Sequence, residues 1–260
     1  MFEDLFSLRG RVALITGGSR GIGKMIAKGF VAYGARVYIS SRKADVCEAT
    51  ARELSAGGGF CEALPIDAST NEGVSALTRA FAARESKLDI LVNNAGAAWG
   101  APAEDHPVEG WDKVMNLNIR GYFILSQHVG KHSMIPRRSG RILNIASIAG
   151  LGGNPPFMTT IAYNTSKGAV VNFTRALAAE WGKHNITVNA LCPGFFPSKM
   201  TAGTLKEQGE EQMASHAPLM RLGDDEDLKG ACVMFSSDAG KHITGQCLAI
   251  DGGVSIVTGG

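Results

Sequence analysis

Long hydrophobic runs are missing from this chain of 260 residues, and no stretch approaches the about 18 uninterrupted apolar residues that a membrane-spanning helix needs. An excess of charge of either sign is missing too. Lys and Arg number 26 against 24 Asp and Glu, and the net charge of +2 is spread along the chain. Neither nucleic acid nor an anionic membrane is therefore expected as a partner. Cysteine is sparse and unpatterned: Cys47, Cys61, Cys192, Cys232 and Cys247 form no CxxC pair and no Cys/His cluster. That excludes a disulfide framework and gives no reason to expect a metal. The opening segment MFEDLFSLRG is acidic and lacks the apolar centre of a secretory signal, so the expectation is a cytoplasmic protein with reduced, buried thiols. No linker, repeat or low-complexity segment divides the chain.

What is present is an alternation. Short apolar runs recur at 11–16, 35–40, 61–66, 88–93, 141–146, 186–191 and 247–250, several of them apolar almost throughout. Such runs suit strands covered on both faces. Between them, GKMIAKGFVAYG, ADVCEATARELSA, EGVSALTRAFAAR and KGAVVNFTRALAAEWGK carry helical periodicity. The expectation is α/β: one domain over residues 1–260, a Rossmann-type, doubly wound parallel sheet of about seven strands with helices on both faces. Ligands in that architecture bind beyond the carboxyl ends of the strands, so the residues after each run matter most.

The first such turn, TGGSRGIG over 16–23, allows two readings. Gly18 to Lys24 fits the opening of a triphosphate-binding P-loop, but that motif requires Ser or Thr after the lysine to hold magnesium. Met25 stands there instead, and a thioether is a poor ligand for a hard cation. The alternative is a dinucleotide loop, with Gly17, Ser19, Arg20, Gly21, Ile22 and Gly23 around a pyrophosphate at the helix start. Tyr163 and Lys167 stand four apart at the start of a predicted helix and share a face. An ammonium there is expected to favour the phenolate and lower the tyrosine pKa, so that tyrosine can exchange a proton with a carbonyl oxygen.

Taken in order, TGGSRGIG (16–23), Asp67, NNAG (93–96), Asn118 in MNLN, Ser147 in IAS, YNTSK (163–167), PG (193–194) and DGG (251–253) resemble the short-chain dehydrogenase/reductase family along nearly the whole chain. The resemblance implies Tyr163 as general acid/base, Ser147 as the group orienting the substrate oxygen, and Lys167 as holder of the nicotinamide ribose. It implies Asn118 as support of a water-linked proton path. It also implies Asp67 and Ala68 near adenine, Asn94, Ala95 and Gly96 near the adenosine ribose, and Pro193, Gly194, Phe196 and Ser198 around the nicotinamide. Residues 1–145 become a cofactor half and 146–260 a catalytic and substrate-loop half.

An acidic residue ending the second strand would bind a ribose 2′-hydroxyl, and none stands there before Asp45. Ser41, Arg42 and Lys43 follow that strand, and Arg20 adds a cation, so NADP(H) is expected. The segments 148–162, with Asn154-Pro155-Pro156 resembling an insertion relative to the family, and 195–223, expected to act as a lid, are candidate walls of a pocket for a small-molecule carbonyl or alcohol. Trp99, Phe157, Met158, Phe196, Met200 and Met213 could line it for an apolar chain, or serve as core or subunit contacts. The chain resembles most the 3-oxoacyl reductase branch, including reductases associated with rhamnolipid synthesis. An NADP-linked polyol or gluconate-type dehydrogenase is the alternative enzyme, and a cofactor-binding regulator or scaffold the alternative outside enzymes. The helix at 164–182 and the segment 245–260 resemble the family's assembly surfaces, which implies a homotetramer.

Overall fold

The computed structural model describes residues 2–257. Its strands are β1 Val12–Thr16, β2 Arg36–Ser40, β3 Phe60–Leu64, β4 Ile90–Asn93, β5 Gly140–Ile145, β6 Ile186–Pro193 and β7 Cys247–Ile250. Helices α1 Phe2–Phe6, α2 Gly21–Ala32, α3 Ala44–Ser55 and α4 Asn71–Ala82 come before β4. After it run α5 Val108–Met115, α6 Gly121–Val129, α7 Ile135–Arg137, α8 Ile161–Trp181, α9 Ala202–Gln208, α10 Glu210–Ser215 and α11 Lys229–Ser236. Every strand pairing is parallel, in the order β3-β2-β1-β4-β5-β6-β7. Each expected apolar run forms one of these strands.

Strand alternation sends β1 side chains to two separate cores. Ala13 and Ile15 pack with Ile26 and Phe30 of α2, Cys47 and Leu54 of α3, and Cys232 and Phe235 of α11. Val12 and Leu14 pack on the other face with Leu77 and Phe81 of α4, Leu125 of α6 and Leu177 of α8. Cys47, Cys61, Cys192 and Cys232 are buried and Cys247 is half-buried. Strand order reverses between β1 and β4, and the loops that leave those strands, 17–20 and 94–102, meet there.

The stretch 108–137 is helical throughout, which the apolar pattern does not announce. The reason is local. A π-turn at Asn116–Arg120 separates α5 from α6, and another at Gly130–Met134 separates α6 from α7. Each adds a residue to a turn, so the 3.6-residue period slips twice within thirty residues. Helix α8 also begins earlier than its periodicity suggests, at Ile161, so Tyr163 lies in its first turn. Among the described residues no helix is long and apolar enough to cross a membrane. Of the segment 245–260 expected at an assembly surface, residues 258–260 lie outside the described residues.

A buried polar ladder ties the carboxyl ends of the central strands to α8. Asn93 and Asn144 face each other in the β4–β5 register, and Asn93 Nδ2 donates to Asn144 Oδ1 at 2.9 Å and to Ser126 Oγ at 3.1 Å. Asn144 Nδ2 donates to Thr174 Oγ1 at 2.9 Å, and that hydroxyl donates to Val170 O at 2.8 Å. Replacing Asn144 by Leu strands amide and hydroxyl groups where water cannot reach. Urea unfolding should show a loss of roughly 3 kcal/mol, and a loss below about 0.5 kcal/mol would contradict the ladder's role.

Candidate active site

The glycine loop is shaped by close approach. A Cβ on Gly23 would stand 2.3 Å from Gly17 O and 2.5 Å from Asn94 Nδ2, so α2 can sit against the turn only with glycine there. Gly21 opens the helix at φ +49, a left-handed conformation, and its Cβ direction points to Ser198 Cβ at 3.6 Å. Ser198, in the segment after β6, therefore lies over the glycine loop. Thr16 knits this loop to the next one: its hydroxyl accepts from the N–H groups of Asn94 at 3.0 Å and Ala95 at 3.1 Å. Asn94 Nδ2 donates back to Thr16 O at 2.8 Å. Thr50 fastens the far side by donating to Ser19 O at 2.9 Å. Ile22 is partly buried against the core below.

Arg20 and Arg42 are exposed, and among the described residues neither takes part in an ion pair. Lys24, by contrast, is bound to Glu53 at 2.7 Å, as suits a surface residue rather than a phosphate ligand. Ser41 Oγ donates to Lys43 O at 3.4 Å, and Asp67 Oδ1 accepts from Ser69 N–H at 3.0 Å beside buried Ala68.

The second cluster lies at the ends of β5 and β6. Ser147 follows β5, is buried, and accepts from Ala149 N–H at 3.2 Å. Lys167 is almost wholly enclosed and donates to Ile145 O at 2.7 Å. Its Nζ stands 5.6 Å from the Tyr163 ring centroid and 5.7 Å from that of Tyr122. Burial lowers its pKa to about 8. The phenol of Tyr163 is raised above the ordinary tyrosine value, because burial outweighs the hydrogen bond from Ser147 that pulls it down. The expected lowering by Lys167 is thus reversed. The ammonium stands 5.6 Å from the ring centroid, and burial penalises the phenolate enough to set the direction.

Asn118 is fully buried in the first π-turn and has every polar atom engaged. Its Nδ2 donates to Ala97 O and Ser166 Oγ, both at 2.9 Å, and its Oδ1 accepts from Ala97 N–H at 2.8 Å. Ser166 Oγ donates to Tyr163 O at 2.7 Å, so Asn118 links the NNAG loop to the first turn of α8. A Cβ on Gly96 would lie 3.4 Å from Asn118 Oδ1 and 3.8 Å from Lys167 Nζ, which places that loop beside the lysine.

At the end of β6, Pro193 pairs with Ile250, and Gly194 N–H donates to Ile250 O at 2.9 Å. Phe196 departs from expectation as a face for the nicotinamide. It is buried in the core and packs so closely on Gly223 that a Cβ there would meet its ring at 2.4 Å. A turn centred on Thr201 positions Ser198: Thr201 Oγ1 accepts from Ser198 N–H at 2.9 Å and donates to Phe196 O at 2.8 Å. Met213 is likewise buried, whereas Met200 is exposed. A cavity of about 430 Å³ between segments 213–223 and 249–256 is lined by neither Ser147, Tyr163 nor Lys167.

Thr16, Tyr122, Ser166 and Thr201 were not singled out by the sequence. Tyr122 carried a signal, since it follows Asn118 by four residues on one helix face. Its hydroxyl donates to Ile145 O at 3.3 Å, the carbonyl that Lys167 also uses.

Protonation of Lys167 opposes folding, because its folded pKa of about 8 lies below the ordinary 10.5. The penalty is absent above the unfolded value, grows as pH falls between the two, and is full below about 8, where it amounts to about 3 kcal/mol. Chemical denaturation should find Lys167→Met more stable than wild type at neutral pH, with the gain shrinking toward pH about 10. An equal gain at both pH values would contradict a buried, titrating lysine.

Comparison with known proteins agrees with this geometry. Residues 17–255 match the family profile described as enoyl-(acyl carrier protein) reductase. The chain is 42% identical over 252 residues to the rhamnolipids biosynthesis 3-oxoacyl-(acyl carrier protein) reductase of Pseudomonas aeruginosa, covering 95% of this chain and 97% of that one. It is 37% identical to gluconate 5-dehydrogenase of Gluconobacter oxydans, covering 97% and 98%. The solved RhlG/NADP active-site complex of Pseudomonas aeruginosa superposes with a TM-score of 0.91 at 41% identity, covering 97% of this chain and 99% of that one. With the sheet order, the glycine turn and the Ser147, Tyr163 and Lys167 cluster in place, these matches show that the chain belongs to the short-chain dehydrogenase/reductase family.

Proposed function

We propose that this chain is an NADP(H)-dependent oxidoreductase interconverting a ketone and a secondary alcohol, with a 3-oxoacyl thioester as its substrate. The observation that carries the reaction class is the cluster of buried Ser147 and Lys167 with half-buried Tyr163 beyond the ends of β5 and β6. The likeness to a 3-oxoacyl reductase at 42% identity supports the substrate. The gluconate 5-dehydrogenase at 37% identity supports a gluconate-type substrate as the second reading.

The residues present fit the dinucleotide. Gly17 and Gly23 carry no side chain of their own and let the turn close on Asn94, and among the described residues Arg20 and Arg42 stand exposed without a carboxylate partner. Arg20 and Arg42 would hold a 2′-phosphate, with Ser41 beside them. Asp67, Ala68, Asn94, Ala95 and Gly96 would flank the adenosine, and Pro193, Gly194 and Ser198 the nicotinamide. Residues 1–145 would form the nucleotide half and 146–260 the substrate half. When bound, the nicotinamide supplies or accepts the hydride.

This chain's own groups handle the proton. With its pKa raised by burial, Tyr163 carries its proton at neutral pH and is ready to give it to a carbonyl oxygen. Ser147, at the end of β5 in the same cluster, would hold that same oxygen. The Lys167 ammonium opposes the charge left on the phenolate, and its own proton, with a pKa of about 8, is available for replenishment. Asn118 would fix the loop and helix between which that proton travels. Self-association into a tetramer is proposed through α8. Exposed Phe123 meets Phe173 edge-on, with ring centroids 6.5 Å apart, beside a groove lined by Met115, Ile119 and Ala169. Sedimentation velocity at micromolar concentration should find a tetramer or dimer, and a monomer would contradict this.

Tyr163→Phe should lower ketone reduction by about 10³-fold while NADPH binding, followed by nucleotide fluorescence, stays within about twofold. Retained turnover would overturn the assignment, and loss of both would point to a structural role. Arg42→Ala should weaken NADPH about tenfold or more and leave NADH unchanged. Equal effects on the two nucleotides would remove Arg42 from the phosphate site.

A further inference from the structure

Sixteen positions separate Ser147 from Tyr163, and the segment between them is held by a polar knot. Asn154 Nδ2 donates to Thr160 Oγ1 and to Asn164 Oδ1, both at 3.0 Å. Thr160 Oγ1 donates to the same Asn164 oxygen at 3.0 Å. Asn164 is the residue after Tyr163, so the first turn of α8 carries both the phenol and the anchor of the loop. A second attachment comes from the NNAG side. Ala101 N–H donates to Thr159 O at 2.9 Å, and Ala101 and Thr160 form a parallel bridge. The loop is thus closed at both edges, to the segment that Asn118 fixes and to the helix that bears Tyr163.

Such fastening is unexpected for a surface loop that buries little. Leu151 is 45% exposed and Phe157 51%, while Pro155 and Pro156 stiffen the stretch between them. Neutral side-chain hydrogen bonds here hold large apolar groups outward. A polar sugar acid gains nothing from that surface, whereas an alkyl chain laid on it leaves water.

We propose that Asn154, Thr160 and Asn164 are positioning residues that hold residues 151–160 as a fixed apolar wall next to Tyr163, where the wall reads the acyl chain of a 3-oxoacyl substrate. The chain-reading part rests on the function proposed above; the tether does not. None of the three side chains donates or accepts the reacting proton. Their effect is therefore on KM for long chains and not on the chemical step.

The test uses the full-length protein, NADPH, and acetoacetyl and 3-oxodecanoyl thioesters side by side. Asn164→Ala and Thr160→Val should raise KM for the 3-oxodecanoyl substrate about fivefold or more, with kcat and the acetoacetyl KM within about twofold of wild type. Thr160→Ser, which keeps the hydroxyl, should behave as wild type. Equal changes on both substrates, or none on the longer one, would overturn the wall. In parallel, hydrogen exchange of the 151–160 amides should be about tenfold faster in Asn164→Ala than in wild type, and unchanged exchange would overturn the tether. A wild type that reduces neither thioester overturns the substrate assignment instead, and the exchange result then decides the tether alone.

Discussion

An ammonium enclosed by protein must find acceptors within the fold, and for Lys167 the fixed one is the carbonyl of Ile145 at 2.7 Å. That carbonyl is free to serve because it lies at the very end of β5, where the ladder of the central sheet stops. Tyr122 donates to it as well, so α6, α8 and the strand end converge on one oxygen. Burial makes the lysine's proton labile near pH 8 and the neighbouring phenol reluctant to lose its own. Burial thus separates the two acidities: at neutral pH the phenol holds its proton firmly, and the lysine is the group closer to titrating.

The rest of the site serves to keep that cluster fixed. The π-turn at 116–120 carries Asn118, fully buried, which clamps Ala97 from both sides and reaches Ser166. Thr16 does the corresponding task where the glycine turn meets Asn94 and Ala95. The Asn93, Asn144 and Thr174 ladder fixes the depth at which α8 packs on the sheet. Loops that leave different strands are thereby held by side-chain to backbone bonds, and the reactive groups inherit the rigidity of the strands.

Strands were the most legible part of the sequence. The inner strands β1, β4, β5 and β6 are buried on both faces, and their continuous hydrophobicity follows from that, whereas the edge strands β3 and β7 are only partly buried. The cluster of Ser147, Tyr163 and Lys167 was legible because its residue types sit at the strand ends and at a four-residue helical spacing. The helix over 108–137 was not, because two π-turns shift its apolar stripe. Thr16, Ser166 and Thr201 escaped notice because a hydroxyl that bonds a distant loop looks the same in sequence as one facing water. Phe196 was misplaced for the converse reason: adjacency to the PG turn suggested a ligand, but its ring packs on Gly223. The direction of the Tyr163 shift also needed the structure, since charge proximity and burial act in opposite senses and only geometry ranks them.

In the proposed reaction a nicotinamide-borne hydride and the Tyr163 proton would meet on one ketone. The most direct measurement supplies NADPH deuterated at the reactive ring carbon together with a 3-oxoacyl thioester, followed by mass spectrometry of the product. One deuterium is expected on the carbon that bears the new hydroxyl, transferred by wild type and not by Tyr163→Phe. An alcohol formed without the label, or equal transfer by the tyrosine variant, would contradict it.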